Sequence, residues 1–292
     1  MRQVLLMNLS STDQPKSSET IVVVPCHNEA QRLDLAAFDA FLADGHNVSL
    51  LMVDDGSTDD TPLVVERLRE RHPRQVFTLR LATNVGKAEA VRRGVQCALR
   101  RRPAMVGYWD ADLATPLDAI PRFQAVLQER PELALVMGSR VALLGRQIRR
   151  RWARHLLGRA FATAASLVLG LSVYDTQCGA KLFRVVPNTS KWFARPFRTR
   201  WVFDVEILAR MTITQRPVPT PRSQAVSELI YEYPLERWND IAGSRLKLAD
   251  FFVAGIDLAA IHWQYKLSGD IGQNLDSESR TLNPEPFYRD AA

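Results

Sequence analysis

Two aspartates that follow a short apolar stretch have the clearest capacity for chemistry in this sequence. Met105–Trp109 is apolar or aromatic except for Gly107, which predicts a buried strand, and Asp110-Ala111-Asp112 follows directly. Carboxylates at the carboxyl end of a strand lie where open α/β sheets bind ligands. Two aspartates one residue apart can supply oxygen ligands to one divalent ion, with substrate phosphates completing its shell. An isolated Asp-Ala-Asp sequence is more often simply a polar loop that follows a strand. The other motifs must therefore show whether this one forms a metal site.

Three further polar segments follow predicted strands in the same half of the chain. The first comes after Ile21–Val24, a β-branched run typical of a central parallel strand. The third, Asn84-Val85-Gly86-Lys87, superficially resembles a phosphate-binding loop, but the full Walker pattern is absent, which argues against a kinase or an ATPase. The three segments are Pro25-Cys26-His27-Asn28-Glu29, Asp54-Asp55-Gly56-Ser57-Thr58-Asp59 after Leu50–Val53, and Asn84-Val85-Gly86-Lys87 after Val76–Leu81.

Strands alternate with helical patterns as far as Met137, which indicates a parallel sheet covered on both faces. Pro62 suits the first position of a helix. We therefore expect an α/β fold of the Rossmann-like type, with a mainly parallel central sheet flanked by helices. The helical patterns cover Leu33–Leu42, the stretch from Pro62, a segment that ends at Arg100, and Leu117–Gln128, and a fifth strand covers Leu133–Met137.

Composition fits a globular protein with an anionic partner. The 292 residues are 46% hydrophobic and 24% charged, with a formal net charge of +6. The three cysteines are far apart and lack zinc spacing, which indicates reduced thiols in a cytosolic protein. No signal peptide is recognisable, and no segment reaches the roughly 18 to 20 apolar residues that span a bilayer. We therefore expect a soluble protein, or one bound peripherally to the cytoplasmic face of a membrane.

The character of the sequence changes after Gly138. Arg140 to Arg159 contains seven arginines and no acid, and the apolar stretch Phe161–Val173 follows, which predicts a helix. A charge run of this kind is most often a solvated face. A turn and strand then occupy Asp175-Thr176-Gln177-Cys178-Gly179-Ala180-Lys181-Leu182-Phe183, Arg200-Trp201-Val202-Phe203-Asp204-Val205-Glu206 opens a helix, and Trp238 to Lys247 leads into a final amphipathic helix.

The order of these motifs resembles the family-2 inverting glycosyltransferases of the nucleotide-sugar-binding α/β (GT-A) type. The four strand-end segments of the first half carry that resemblance. The second half, through Asp175 to Phe183, Phe203 to Glu206 and Trp238…Gly243-Ser244-Arg245, resembles the dolichyl-phosphate glucosyltransferase branch. The resemblance covers roughly Thr20 to Leu267. It departs at Leu113, where that branch often has Gly, and at Arg245, where Lys is frequent.

The resemblance implies a division of the chain and a donor site. Residues 1–19 are a flexible tail, 20–138 the nucleotide-sugar-binding half, 139–267 the acceptor-binding half with a basic and apolar helical insertion, and 268–292 a polar tail. Asp112 is the first choice as metal ligand, and Asp110 is shared between metal and ribose. Mg²⁺ or Mn²⁺ fits this oxygen-only site, since no His or Cys is placed to favour zinc. The implied donor-binding residues are Pro25, His27, Glu29, Asp54, Asp55, Gly56, Lys87, Asp110, Ala111 and Asp112, with Pro25 and His27 beside the base and Asp54 and Glu29 on uracil and ribose.

On the acceptor side, Asp204 is the candidate catalytic residue. It would act as general base towards a hydroxyl acceptor, or would orient an acceptor phosphate, which is already anionic. A helix N-cap is the structural alternative for this residue. Guanidinium groups match phosphate oxygens, so several arginines are candidates for the acceptor phosphate or the leaving diphosphate. The predicted acceptor- or phosphate-binding residues are Ser139, Arg140, Arg154, Gly179, Lys181 and Arg245.

The preferred hypothesis is transfer of glucose from UDP-glucose to a phosphate-bearing acceptor, most simply a polyprenyl phosphate. A second hypothesis keeps the donor and uses a soluble acceptor such as a sugar, a nucleoside or a natural-product intermediate. The absence of membrane-spanning segments favours the second, and the arginine run beside an apolar helix favours a lipid and a membrane surface. A basic nucleic-acid-binding module is a distant third, because the basic cluster lies in one insertion with few aromatics. We expect no nucleic acid as partner.

Overall fold

The computed structural model describes residues 19–149, 152–214, 226–239 and 248–267. The predicted tails 1–19 and 268–292 lie outside these ranges, apart from Glu19. The strands are β1 (Thr20–Cys26), β2 (Val48–Asp54), β3 (Val76–Arg80), β4 (Met105–Trp109), β5 (Leu135–Ser139), β6 (Gln147–Arg149), β7 (Ala180–Arg184), β8 (Ile230–Pro234) and β9 (Arg237–Asn239). The helices are α1 (Leu35–Ala43), α2 (Thr61–Arg71), α3 (Lys87–Leu99), α4 (Ala119–Glu129), α5 (Trp152–Leu169), α6 (Thr189–Trp192), α7 (Phe203–Thr214) and α8 (Leu248–His262), which continues as a π-helical turn, Trp263–Leu267.

Seven strands form one sheet in the order β3-β2-β1-β4-β7-β5-β8. The first four pair in parallel, and β8 is parallel to β5. Strand β7 runs antiparallel to both of its neighbours, β4 and β5, so it alone of the seven is reversed. The expectation of a mainly parallel sheet flanked by helices is confirmed.

The strand order places a topological switch point between β1 and β4. From β1 the chain builds β2 and β3 to one side, then crosses to the other side of β1 to form β4. Ligands of open α/β sheets bind outside the carboxyl ends of the strands at such a point. The polar segments after β1, β2 and β4 therefore meet at one edge of the sheet.

The core lies on both faces of this sheet, because its central strands are apolar on both sides. Every residue of β2 and β4 is buried. Alternate residues of β1 contribute to opposite faces, Ile21 and Val23 to the face covered by α3 and α7, and Val22 and Val24 to the face covered by α1 and α4. This burial on both faces explains the continuous apolar runs in the sequence.

The arginine-dense segment forms the small strand β6 and then α5. Strand β6 pairs in parallel with β9 in a separate two-stranded sheet. The apolar stretch predicted as a helix over Phe161–Val173 is helical only to Leu169, because Gly170 takes a left-handed φ of +67° that ends the helix. None of the described helices combines the length and the apolar character that crossing a bilayer requires.

Candidate active site

The ends of β1 and β2 are joined by hydrogen bonds from the segment that begins at His27. The His27 Nδ1 atom donates to the carbonyl oxygen of Asp55 over 2.9 Å, and the Asn28 amide donates to Ser57 Oγ over 3.0 Å. The Glu29 amide donates to Thr61 Oγ1 over 2.7 Å. His27 itself is exposed and half-buried Pro25 precedes it, so both can be reached at the open edge of the sheet.

Two carboxylates predicted to bind the donor lie at this edge with different surroundings. Asp54 is 4% exposed, accepts a hydrogen bond from the Ser57 amide (3.0 Å), and forms an ion pair with Arg80 (3.3 Å). Glu29 is half-buried and pairs with Arg32 at 3.3 Å. Burial raises the pKa of Glu29, Arg32 opposes that rise, and the negative charge of Asp112 adds to it. The negative charge of Asp112 therefore acts on Glu29 across the ends of β1 and β4.

Asp55 shapes the loop that carries Lys87. Its two carboxylate oxygens accept hydrogen bonds from the backbone amides of Val85 (2.8 Å) and Gly86 (2.9 Å). Gly56 has a φ of +61°, and a Cβ there would lie 2.4 Å from the backbone of Thr83. A larger residue at position 56 would therefore push this loop away. Together these contacts fix where α3 begins.

The first residue of α3, Lys87, connects this loop to the aspartates. Its Nζ lies 2.5 Å from Asp110 Oδ1. Desolvation opposes the charge of Lys87, but the carboxylates of Asp110, Asp204 and Asp112 outweigh it and raise the pKa. The side chain remains 44% exposed, so its ammonium can also meet a ligand at the edge of the sheet.

Asp110 and Asp112 fit a divalent cation. Gly179 makes room for the first carboxylate, since a Cβ there would lie 1.9 Å from Asp110 Oδ2. Asp112 Oδ1 accepts a hydrogen bond from the Ala114 amide (3.1 Å). Burial, together with the charge of Asp110, raises the pKa of Asp112, and a cation would offset that like-charge repulsion. Among the described residues, no group of three or more His, Cys, Asp or Glu side chains is arranged to hold a metal ion by itself, so phosphate oxygens would have to complete the shell.

Asp204 lies in the first turn of α7 and contacts two buried side chains. Its Oδ1 accepts hydrogen bonds from Tyr108 Oη and Lys181 Nζ, both at 2.5 Å. The Lys181 ammonium also donates to the carbonyl oxygens of Thr176 (2.9 Å) and Cys178 (2.7 Å). Burial, followed by the charge of Asp204, raises the pKa of Tyr108 well above its usual range, so its hydroxyl remains a donor.

Arg140 is held by Asp175 in a bidentate pair. Its Nε and Nη2 lie 2.6 and 2.7 Å from the two carboxylate oxygens, and Arg140 Cζ is 5.3 Å from the centre of the Trp238 ring. Glu232 on β8 fixes the same segment by accepting from the amides of Tyr174 and Asp175, each at 2.8 Å. The opposite charge of Asp175 outweighs burial and raises the pKa of Arg140.

The structure places the predicted site residues as follows. Lys87, Asp112 and Gly179 lie at Asp110, with Ala111 between the two aspartates, and the charge of Asp204 acts on Lys87. Lys181 contacts Asp204. Pro25, His27, Glu29, Asp54, Asp55 and Gly56 lie at or just after the ends of β1 and β2. Ser139 is buried at the end of β5, and Arg140, which follows it, pairs with Asp175. Arg154 lies in α5, but its side chain is outside the described residues, as is all of Arg245. The roles assigned to these residues stay predictions.

Sequence reasoning did not single out Tyr108, Glu232 or the partnership of Arg140 with Asp175. The sequence places Tyr108 in an apolar strand, and nothing local indicates that its hydroxyl reaches α7. One signal is available: a lysine within an apolar strand, such as Lys181, needs hydrogen-bond partners or an opposite charge when it is buried.

The geometry defines an α/β protein with carboxylates gathered at the switch point of its sheet, and comparison with known sequences gives its family. The family model described as Glycosyl transferase family 2 matches residues 21–189. The chain therefore belongs to glycosyl transferase family 2, and its GT-A fold and enzymatic class, expected from the motifs, are confirmed.

Within that family it belongs to the branch of the dolichyl-phosphate β-glucosyltransferases. It is 32% identical to the enzyme of that name from Dictyostelium discoideum, over 84% of this chain and 74% of the relative. The Saccharomyces cerevisiae enzyme is 30% identical over 90% of this chain and 79% of its own. The polyprenol monophosphomannose synthase of Mycolicibacterium smegmatis is more distant, 27% identical over 58% of this chain and 62% of its own.

Solved structures share the fold. Glucosyl-3-phosphoglycerate synthase from Mycobacterium tuberculosis, in complex with Mn²⁺, UDP and glucosyl-3-phosphoglycerate, superposes with a TM-score of 0.59. The sequences are 18% identical, and the match covers 85% of this chain and 80% of that one. At this identity the likeness concerns the fold.

Proposed function

We propose that this protein is an inverting glucosyltransferase that moves glucose from UDP-glucose to a polyprenyl phosphate. The observation that carries the proposal is the meeting of Asp110, Asp112, Lys87 and Asp204 at the switch point of the sheet. Its membership of the dolichyl-phosphate β-glucosyltransferase branch supports the donor and the acceptor class.

The nucleotide would lie against the ends of β1 and β2. Asp54 and Glu29 supply carboxylate oxygens that accept hydrogen bonds from the uracil and the ribose hydroxyls, and Pro25 and His27 flank the base. The hydrogen bonds from His27 to Asp55 and from Asn28 to Ser57 support this assignment, because they hold the two strand ends at a fixed separation. A preformed edge of this kind needs little ordering when the nucleotide binds.

The diphosphate would lie over Asp110 and Asp112. A divalent cation, Mg²⁺ or Mn²⁺, supplies Lewis-acid stabilisation of the charge that grows on the diphosphate as the bond to the anomeric carbon breaks. Lys87 contributes a second positive charge, and its ammonium can turn from Asp110 towards a phosphate oxygen. Asp55 supports this arrangement by fixing the start of α3.

The acceptor phosphate would attack from the side of α7. One of its oxygens forms the new bond to the anomeric carbon on the face opposite the UDP, and the bond electrons leave with the diphosphate, which inverts the configuration. Because the phosphate is already anionic, no general base is required, and Asp204 orients the acceptor by accepting a hydrogen bond from the P–OH group of the phosphate monoanion. With a hydroxyl acceptor, the same carboxylate would have to accept the proton.

A membrane surface is the proposed partner of a lipid acceptor, at the cytoplasmic face. Helix α8 has an exposed apolar stripe made of Val253, Ile256 and Trp263, which are 53%, 70% and 70% exposed. Positions three and seven residues apart lie on one face of a helix. Arg198 lies beside this helix, 3.5 Å from Gln264. An apolar helical face with a tryptophan and neighbouring positive charge suits the headgroup layer of an anionic bilayer.

Thermal shift and transfer assays test the donor and the acceptor together. We expect UDP with Mn²⁺ to raise the melting temperature more than GDP, CDP or dTDP does, and we expect radiolabelled glucose to pass from UDP-glucose to polyprenyl phosphate. A larger shift with GDP would favour a mannosyl donor and overturn the choice of glucose. Transfer to phosphoglycerate or a free sugar, with none to polyprenyl phosphate, would replace the lipid acceptor with a soluble one.

A further inference from the structure

A buried cluster of three side chains supports the acceptor side of the site. Tyr108 and Lys181 have no exposed surface and Asp204 is 6% exposed. Tyr108 and Lys181 lie directly opposite each other in the antiparallel pair β4 and β7, with Lys181 Nζ 5.4 Å from the centre of the tyrosine ring. Both donate to the same oxygen of Asp204, Oδ1.

The Lys181 ammonium has no hydrogen left for a substrate. An ammonium group has three N–H donors. All three have acceptors, namely Asp204 Oδ1 at 2.5 Å and the carbonyl oxygens of Thr176 and Cys178 at 2.9 and 2.7 Å. To bind a phosphate, Lys181 would have to abandon one of these buried partners and leave it unsatisfied.

The Asp204 carboxylate is used on one side only. Tyr108 and Lys181 both occupy Oδ1, while no described residue donates a hydrogen bond to Oδ2. Two donors on one oxygen fix the rotation of the carboxylate about its Cβ–Cγ bond. The charge of Asp204 also acts on Lys87, at the start of α3 on the donor side.

The strand register explains why these residues occur at this spacing. Tyr108 and Asp110 are two residues apart, so they point to the same face of the sheet. Lys181 is the register partner of Tyr108, and the carbonyl oxygen of Gly179 accepts from the Asp110 amide at 3.1 Å. Gly179 therefore gives space to the carboxylate on the donor side, while Lys181, two residues later, supports the carboxylate on the acceptor side.

We propose that Lys181 and Tyr108 are positioning residues that cap Oδ1 of Asp204 and leave Oδ2 to accept a hydrogen bond from the P–OH group of the acceptor. This inference deepens the proposed function and rests on it for the identity of the acceptor. It differs from the prediction drawn from the resemblance, in which Lys181 holds the acceptor phosphate directly. The two assignments give different kinetic signatures.

Kinetics of five variants, including the Asp204→Asn background and its combination with Lys181→Met, separate these assignments. Tyr108→Phe should lower kcat about tenfold, the effect of one hydrogen bond to a charged group, with the KM of both substrates within about twofold. Lys181→Met should lower kcat by about a hundredfold. In the Asp204→Asn background, Lys181→Met should add less than about threefold, because its effect passes through Asp204. The matched control is Tyr231→Phe on β8, which should retain wild-type kinetics.

Direct contact with the phosphate predicts another result. Lys181→Met would then raise the acceptor KM, and would do so equally in the Asp204→Asn background. That outcome overturns the proposal. Unchanged kcat in Tyr108→Phe overturns the part assigned to Tyr108. Because Lys181→Met removes a buried charge, Tyr108→Phe, which keeps the ring, serves as the variant expected to fold normally.

A measurement without turnover distinguishes failure of this inference from failure of the proposed function. In ¹⁵N-lysine-labelled protein, the Lys181 ammonium should give a protected NMR signal, assigned by its absence in Lys181→Met. The signal should shift in Asp204→Asn and in Tyr108→Phe, and should not respond to inorganic phosphate. A signal that moves with phosphate refutes the positioning role. If wild-type protein transfers no glucose, the proposed function fails, and this experiment still decides the role of Lys181.

Discussion

The donor half and the acceptor half of the site use charge in opposite ways. At the ends of β1 and β4, like charges gather, since Glu29 and Asp112 repel each other and Asp110 repels Asp112. Around β7, charges are neutralised within the protein, by Lys181 with Asp204 and by Arg140 with Asp175. In the donor half, Lys87 and Arg32 offset only part of the negative charge, so the pKa values of Glu29 and Asp112 remain raised. In the acceptor half, each of these acidic groups has a cation directly paired with it.

This difference distinguishes the carboxylates of the donor half, which we propose bind a ligand, from the ion pairs of the acceptor half, which hold the site together. A cluster of partly buried carboxylates destabilises the fold until a cation arrives, which is the electrostatic signature of a binding site. A buried ion pair with all its hydrogen bonds made holds elements in place and offers little to a substrate. Substitution in the donor half should therefore affect activity without loss of stability, whereas substitution that breaks a buried ion pair of the acceptor half should also lower stability.

The largest expected effect is that of Asp112→Asn. Removal of one cation ligand should lower transfer by about a thousandfold, because it withdraws charge stabilisation worth several kcal/mol from the leaving diphosphate. The melting temperature without ligand should not fall, since the substitution also removes the repulsion between Asp110 and Asp112. Steady-state transfer assays and calorimetry of the same preparation measure both quantities.

Metal removal provides the control for this experiment. EDTA should abolish wild-type transfer, and the UDP-induced melting shift should lose its Mn²⁺-dependent part in wild type and show no such part in Asp112→Asn. Full activity of the variant, or undiminished wild-type activity in EDTA, would mean that the carboxylates do not hold a catalytic metal. The carboxylates of the donor half would then have a structural role, as the ion pairs of the acceptor half do.

A smaller effect, on stability, is expected for Arg140→Met. The variant leaves Asp175 buried without its bidentate partner, which should lower the free energy of unfolding by about 3 kcal/mol. The KM for UDP-glucose should stay within about twofold. Chemical denaturation measures the loss, with Arg69→Met as the matched control, because the exposed Arg69–Glu66 pair on α2 should contribute less than about 0.5 kcal/mol.

The opposite pattern would change the comparison. If Arg140→Met keeps its stability and raises the acceptor KM, then the guanidinium binds the substrate, as the match between guanidinium groups and phosphate oxygens predicts. The acceptor half would in that case contain a residue held ready for a ligand, like those of the donor half.

The donor half could be predicted because its signals are local. Apolar runs such as Ile21–Val24 give the strands, and polar segments at their carboxyl ends give the edge of a parallel sheet. The positions of Asp110 and Asp112 follow from one strand alone, because both residues come directly after Met105–Trp109. The motif order then gave the family, the GT-A fold and the enzymatic class.

The acceptor half could not be predicted in the same detail because its pairs are non-local. Strand β7 lies between β4 and β5 with reversed direction, and an apolar run carries no information about strand direction. The assignment of Lys181 to the acceptor phosphate stays a prediction, and the sequence alone does not reveal that its ammonium is surrounded by Asp204 and two carbonyl oxygens. Arg140 and Asp175 are likewise 35 residues apart in sequence and in direct contact in space.

The surface that we propose for the membrane could not be predicted from the sequence in the same detail either. The sequence directed attention to the arginines from Arg140 to Arg159, of which Arg150 and Arg151 lie outside the described residues. The exposed apolar stripe of α8 was not recognised, because α8 is apolar on its buried face as well, through Ala254, Leu258 and Ile261. Periodicity identifies a face only where polar and apolar positions alternate around the helix.

The smallest expected effect concerns this stripe. Ile256→Ser should weaken binding to anionic vesicles about tenfold, since burial of one such side chain in the headgroup layer contributes about 1.5 kcal/mol. Liposome flotation at low salt measures the partition, with neutral vesicles and high salt as comparisons, because the basic residues add a salt-sensitive contribution. Leu63→Ser is the matched control, as Leu63 on α2 is 58% exposed and lies away from the stripe. If wild-type protein stays with the soluble fraction, or if both serine variants bind equally, α8 does not meet the bilayer, and a soluble phosphate-bearing acceptor becomes the better match for the paired charges around β7.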